Sequence, residues 1–177
     1  MITAADYEAV QLTEPPRLQP PTTAVRASWL AAERADCELT GGSRELLERA
    51  EADFDGLVAV RQGTPFWWGV PTTILWYVSR ELYVGELVIR HHLTPELAES
   101  GGHIGFSIAP QFRRQGHGTR MLADGLAECR WLGLHRVLLT CTTENEPSRR
   151  VIVANGGIPD GQARGEDRFW IDLDRSP

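Results

Sequence analysis

The segment that most constrains the fold is a strand-like run that leads through a glycine-rich turn directly into a helical pattern. The run from His103 to Ile108 reads as a β-strand, Pro110 ends it, and the sequence RRQGHG follows at once. From Thr119 to Leu132 apolar residues recur at helical spacing. The first N–H groups of a helix lack partners within the helix, so this segment predicts a site for an anion.

Spacing distinguishes the known kinds of phosphate-binding turn. A Walker loop needs a lysine after its last glycine, but all 18 basic residues of this chain are arginines. A dinucleotide fingerprint needs a third glycine where Met121 stands. Neither motif explains the turn from Arg113 to Gly118.

The rest of the chain predicts an α/β fold. The stretch PPRLQPP reads as an extended, irregular connection, and the polar stretch GQARGED reads as a loop. Helical patterns cover Thr22 to Arg34, Ser43 to Val60, and Asn145 or Glu146 to Ala154. Strand-like runs cover Tyr7 to Leu12, Thr72 to Val78, Leu82 to Arg90, His135 to Cys141, and Phe169 to Leu173, in addition to the run that ends at Ile108.

Composition bounds the class of protein. The 177 residues, 42% of them hydrophobic, suit one domain over residues 1–177. A net charge of -6 argues against nucleic acid as a partner. Three widely spaced cysteines, Cys37, Cys129 and Cys141, predict neither a disulfide framework nor a metal site. The sequence shows no signal-peptide pattern and no apolar run of membrane-spanning length, so we expect a cytoplasmic protein that is not membrane-bound.

The glycine-rich turn resembles motif A of the general-control-non-repressible-related N-acetyltransferase (GNAT) superfamily, Q/R-x-x-G-x-G/A. Arg113, Gly116 and Gly118 match it, and the preceding Ile108-Ala109-Pro110 is similar to the superfamily's lead-in. The stretches VIRHHL, GGHIGF and NEPSRRVIVANGG resemble a bacterial branch of predicted acetyltransferases. The resemblance implies a mixed, mostly antiparallel central sheet with a splayed parallel strand pair, flanked by helices.

The resemblance also implies acetyl-CoA as co-substrate and no metal. The pantetheine arm would lie between the strand ending at Ile108 and the strand HRVLLTC, and backbone amides near Ile108 would polarise the thioester carbonyl. The expected cofactor-binding residues are Ile108, Arg113, Arg114, Gln115, Gly116, His117, Gly118, Thr119, Asn145 and Ser148.

An amine protonated at neutral pH must lose a proton before it attacks a thioester, so the site needs a base or a water chain. Glu86 is the first candidate and His103 the second. Each has a structural alternative. Glu86 could pair with Arg90 on the same strand face, and His103 could be a hydrogen-bonded structural histidine.

The family's usual general acid is absent from this sequence. Many members of the family carry a tyrosine where this chain has Ile152, and Ser148 could instead contact the sulfur region. Asn145 has an alternative role as the N-cap of its helix. Cys141 reads as a small buried thiol rather than a nucleophile, which favours direct attack by the amine.

The acceptor is expected to be a primary amine of a small molecule or peptide. The N-terminal helices, the loop with Trp67 and Trp68, and the GQARGED stretch would enclose it. The adjacent tryptophans could equally cap the core. Two alternatives remain open, a non-catalytic acyl-CoA sensor and a transferase of a longer acyl chain. A homodimer is the default expectation for oligomeric state.

Overall fold

The computed structural model describes residues 11–174, so most of the predicted strand from Tyr7 to Leu12 lies outside the described residues. The first part contains β1, Arg17–Gln19; a 3-10 turn, Thr23–Val25; α1, Arg26–Thr40; α2, Glu45–Ala52; and α3, Phe54–Ala59. The predicted helix from Ser43 to Val60 is thus split. Asp53 leaves the helical conformation and caps α3, because its side chain accepts a hydrogen bond from the Gly56 N–H at 2.8 Å.

An antiparallel sheet follows. It is built from β2, Phe66–Trp67; β3, Val70–Ser79; β4, Leu82–Arg90; and, after the short helix α4, Pro95–Glu99, from β5, Ile104–Ile108. The strand order is β1-β3-β4-β5, and β2 pairs with the start of β3. The predicted meander is confirmed, and the proline-rich connection adds an edge strand. Prolines are compatible with an edge strand because it leaves one row of N–H groups unpaired.

The C-terminal part forms a second antiparallel sheet. Its elements are α5, His117–Trp131; β6, Arg136–Thr142; α6, Glu146–Ala154; β7, Ile158–Ala163; and β8, Glu166–Asp172, with strand order β6-β8-β7. The stretch GQARGED, residues 161–167, forms the end of β7, a two-residue turn at 164–165 and the start of β8. The prediction of a loop there was therefore wrong for most of the stretch. Residues 158–162 are exposed, and β7 therefore lacks the apolar alternation by which a strand is recognised.

The two sheets touch just before β5 and separate beyond it. The His103 N–H donates to the Leu138 carbonyl at 2.7 Å, and the Gly101 N–H donates to Thr140 Oγ1 at 2.8 Å. Within residues 11–174, β5 pairs only with β4, and β6 pairs only with β8. This confirms a mixed α/β fold with antiparallel sheets flanked by helices. The parallel direction of β5 and β6 stays a prediction.

Helices cover both faces of the first sheet. On one face Trp29 of α1 contacts Trp76 of β3, with ring centroids 6.2 Å apart. On the other face α5 packs on β4 so closely that a Cβ at Gly125 would stand 2.5 Å from Leu87 Cδ1. These contacts fix α1 and α5 relative to the sheet. No helix among residues 11–174 is long and apolar enough to cross a membrane.

Candidate active site

The turn before α5 presents an open helix N-terminus. Arg114 and Gly116 adopt left-handed conformations, with φ of 61° and 80°, and Gly116 caps the helix without a side chain. The first backbone hydrogen bond of α5 runs from the Arg120 N–H to the Gly116 carbonyl at 3.2 Å. Among the described residues, the N–H groups at positions 117–119 have no acceptor. Three open donors at the positive end of a helix dipole form a site suited to an anion such as a pyrophosphate.

The side chain of Arg113 faces away from this anion site. Its Nε donates to the Ile108 carbonyl at 2.8 Å, and its guanidinium forms an ion pair with Asp36 of α1. Arg113 therefore ties the end of β5 to α1. A contact of Arg113 with the co-substrate, as predicted from the motif, would use its backbone.

Two other residues of the turn also direct their side chains toward the protein. Gln115 Nε2 donates to the Gln111 carbonyl at 2.9 Å. The ring of His117 is 7% exposed and lies edge-on to Phe112, with centroids 6.1 Å apart. Burial lowers the pKa of His117, so the ring stays neutral near pH 7. The buried His117 can therefore offer only its backbone to the predicted phosphate site, whereas the side chains of Arg114 and Gln115 are exposed.

Gly118 lies where three elements meet. A Cβ at this position would stand 3.3 Å from Val151 Cγ2 of α6 and 3.7 Å from Ile108 Cγ1 of β5. The contact with Val151 would be tight and the contact with Ile108 ordinary, so the absence of a side chain mainly lets the first turn of α5 approach α6. The open helix N-terminus is thereby held beside the end of β5.

His103 lies at the opposite end of β5 from Ile108, where the two sheets touch. Its Nδ1 accepts a hydrogen bond from the Leu138 N–H at 2.9 Å, and the side chain is 8% exposed. Burial, reinforced by the positive charge of Arg136, lowers its pKa to about 4. Five residues of strand span roughly 16 Å. The structure therefore favours the structural alternative for His103 over the catalytic one.

Replacing His103 with asparagine should flatten the acid dependence of stability. The pKa falls from 6.5 in the unfolded chain to about 4 in the folded one. The unfolded chain thus binds the proton more tightly, and the stability contributed by neutral His103 is present above pH ~6.5 and lost as the pH falls toward ~4. Asparagine keeps an acceptor for the Leu138 N–H but does not titrate. Urea denaturation between these pH values measures the effect, and equal slopes for both proteins would contradict it.

Glu86 lies on β4 with its carboxylate already engaged. Trp76 Nε1 donates to Glu86 Oε2 at 2.9 Å, and Arg61 Nε lies 3.6 Å from the same oxygen. Arg61 also stacks over Trp67, which places the tryptophan loop next to this group. The alternative partner proposed for Glu86, Arg90, instead donates to the carbonyls of residues 101 and 102. Glu86 is thus positioned by one hydrogen bond from Trp76 and by an ion pair with Arg61.

A small open cavity lies between α1 and the end of β5. We call it the acceptor-side cavity, and it is lined by Ala32, Glu33, Asp36, Tyr83, Ser107, Ile108, Ala109, Pro110 and Arg113. Glu33, Asp36, Tyr83 and Ser107 are not among the site residues predicted from the sequence. The spacing of Glu33 and Asp36 places them on one helix face, but only the packing of α1 shows that this face meets β5.

The start of α6 forms the other boundary of the site. Asn145 Oδ1 accepts a hydrogen bond from the Ser148 N–H at 3.1 Å, so Asn145 is the N-cap that the sequence allowed. The Ser148 side chain hydrogen-bonds Cys141 at the end of β6, and burial raises the pKa of that thiol. Ile152, at the position of the family's tyrosine, is fully buried. Ser148 thus lies beside the end of β6.

A comparison with protein families matches residues 3–158 to the acetyltransferase (GNAT) domain. No curated protein is similar enough in sequence to be matched to this chain. Similar solved structures cover nearly all of it. Mycobacterium smegmatis RimJ in complex with a CoA-disulfide has 23% identity and a TM-score of 0.64, over 92% of this chain and 89% of that one.

Two further structures have the same fold. The Salmonella typhimurium acetyltransferase that modifies the N-terminal serine of ribosomal protein L7/L12 is 14% identical, with a TM-score of 0.63 over 93% of this chain and 99% of that one. The microcin C7 self-immunity acetyltransferase MccE, in complex with acetyl-CoA and AMP, is 12% identical, with a TM-score of 0.57 over 93% and 96%. The family match covers most of the sequence, and this chain therefore belongs to the GNAT acetyltransferases, which use acetyl-CoA.

Proposed function

We propose that this protein transfers the acetyl group of acetyl-CoA to the primary amine at the amino terminus of a peptide or protein. The observation that carries the proposal is that two features converge on the end of β5. The open N-terminus of α5 lies on one side of Ile108, and the acceptor-side cavity lies on the other. A donor bound at the first feature and an amine in the second would meet at this strand end.

The residues present fit acetyl-CoA. The free N–H groups at 117–119 would hold the pyrophosphate, and exposed Arg114 adds positive charge beside them. The separated ends of β5 and β6 would leave their unpaired backbone groups to the pantetheine arm. Acetyl-CoA supplies an activated acyl group as a thioester. The protein's part is to hold that group near Ile108 and to admit the amine from the side of α1.

Direct attack by the amine is favoured over a covalent acyl-enzyme. Burial raises the pKa of Cys129 to about 12 and also raises the pKa of Cys141. Both thiols are therefore protonated near pH 7, and a protonated thiol is a poor nucleophile. Neither Cys129 nor Cys141 is therefore a good nucleophile toward the acetyl group, so the amine itself would attack the thioester.

A peptide amine is the acceptor that the comparisons support best. The similar Salmonella structure is named for modification of an N-terminal serine. The acceptor-side cavity also has carboxylates on the α1 side, Glu33 and Asp36, which suit a positively charged amino terminus. These observations motivate the choice of acceptor, which turnover must establish.

Two measurements test the proposal. Calorimetric titration should show that acetyl-CoA binds, and that NADH and ATP, as controls for other phosphate ligands, bind more weakly. Release of free thiol from acetyl-CoA should then require an added amine, with a serine-initiated hexapeptide reacting faster than spermidine or glycinamide. Binding of acetyl-CoA without turnover of any amine would instead support an acyl-CoA sensor. Faster turnover of spermidine would assign a small-molecule acceptor.

A further inference from the structure

Glu33 of α1 lines the acceptor-side cavity together with the end of β5. The other wall of this cavity is formed by residues 107–110, which include the end of β5 where we place the thioester. Glu33 is therefore on the side from which an amine would approach. Its position is fixed by the packing of Trp29 and Ala32, both buried residues of the same helix.

Three carboxylates lie in this region, and only one of them is without a partner. Asp36 forms an ion pair with Arg113, and Glu86 accepts a hydrogen bond from Trp76 and lies near Arg61. Among the described residues, no hydrogen bond or ion pair reaches the Glu33 carboxylate. Leaving a half-buried carboxylate without a partner costs folding free energy unless a cation binds to it. An ammonium group would supply that cation.

We propose that Glu33 binds the ammonium group of the acceptor and takes its proton before the attack on the thioester. This inference rests on the proposed function and names the base of that site. One N–H bond of the ammonium breaks, and the proton passes to a Glu33 oxygen. The freed electron pair of the nitrogen forms the new N–C bond, the C–S bond breaks, and CoA leaves as the thiolate. The nitrogen then loses a second proton to water to give the amide, and the thiolate takes up one proton from water.

The surroundings of Glu33 support the transfer. Burial raises its pKa, and the negative charges of Asp36 and Glu86 raise it further, while Arg61 acts in the opposite direction. Arg113 and Tyr83 also line the cavity. A carboxylate with a raised pKa holds a proton more readily, so proton transfer from an amine with a pKa of roughly 8 is less uphill than to an ordinary glutamate.

The test compares wild-type protein with Glu33→Gln, using acetyl-CoA and a serine-initiated hexapeptide over a pH range of roughly 6.5 to 9.5. At pH ~7 we expect kcat/KM for the peptide to fall about 100-fold, the size of a general-base contribution. The loss should shrink to within about threefold at pH ~9.5, where the peptide amine is already neutral in solution. The affinity for acetyl-CoA should not change, because Glu33 lies on the other side of Ile108.

The matched control is Glu38→Gln, which removes the same charge from an exposed position on α1. It should leave kcat/KM within twofold of the wild type. Equal pH profiles for Glu33→Gln and the wild type would overturn the role of Glu33 and leave the proposed function intact. A pH-independent loss in Glu33→Gln, or a loss of acetyl-CoA binding, would show a structural role and also overturn it. Wild-type protein that binds acetyl-CoA but does not acetylate the peptide would overturn the proposed acceptor and this inference together.

Discussion

Replacing Gly116 with glutamate should weaken the binding of acetyl-CoA by about 100-fold or more. Gly116 has a φ of 80°, which costs a residue with a side chain roughly 1–2 kcal/mol. The new carboxylate would also stand at the three open N–H groups, where it would compete with the pyrophosphate and repel it. Calorimetric titration of acetyl-CoA measures the affinity directly.

Gly133 provides the matched control for this substitution. It follows the C-terminal end of the same helix, has a φ of 82°, and a Cβ there would meet nothing within 4 Å. Gly133→Glu therefore introduces the same charge and similar backbone strain at the opposite end of α5. We expect it to bind acetyl-CoA as the wild type does. If both variants lost affinity equally, the anion site would not be at Gly116.

Replacing Gly102 with alanine should cost about 3 kcal/mol or more of folding stability. The φ of Gly102 is 60°, and a Cβ at this position would stand 2.4 Å from the Leu138 carbonyl oxygen. Because the clash is with backbone, no side-chain rotation relieves it, and the two sheets would have to move apart. The hydrogen bond between His103 and Leu138 lies next to this point and would be weakened with it. Urea denaturation gives the change in the free energy of unfolding.

Gly165→Ala is the control for Gly102→Ala, because it introduces the same kind of backbone strain without a steric clash. Gly165 lies in the β7-β8 hairpin with a φ of 78°, and a Cβ there would meet nothing within 4 Å. We expect a cost of roughly 1 kcal/mol from the conformation alone. Similar losses for the Gly102 and Gly165 variants would show that the contact between the sheets at Gly102 is not tight.

The strongest local patterns predicted elements correctly. The apolar spacing after Thr119 identified the central helix, and the strand-like run from Leu82 to Arg90 identified β4. β7 was not predicted because its residues are mostly exposed and do not alternate between apolar and polar types. The break between α2 and α3 at Asp53 was not predicted, because an aspartate within a helical pattern also fits an exposed helix position. Its role as a cap depends on the hydrogen bond from the Gly56 N–H, which only the structure shows.

The sequence by itself determined the glycine-rich turn and the family, because both depend on residues close together in the chain. Glycines at 116 and 118 between a strand and a helix dictate open N–H groups wherever that helix lies. Only the tertiary structure decided which side chains line the cavity between α1 and the end of β5. Glu33 reaches the end of β5 because α1 packs on β3 through Trp29 and Trp76, and Glu86 is engaged because Arg61 lies beside it. Contacts between residues far apart in the sequence leave no local pattern, so the partners of a carboxylate follow from packing alone.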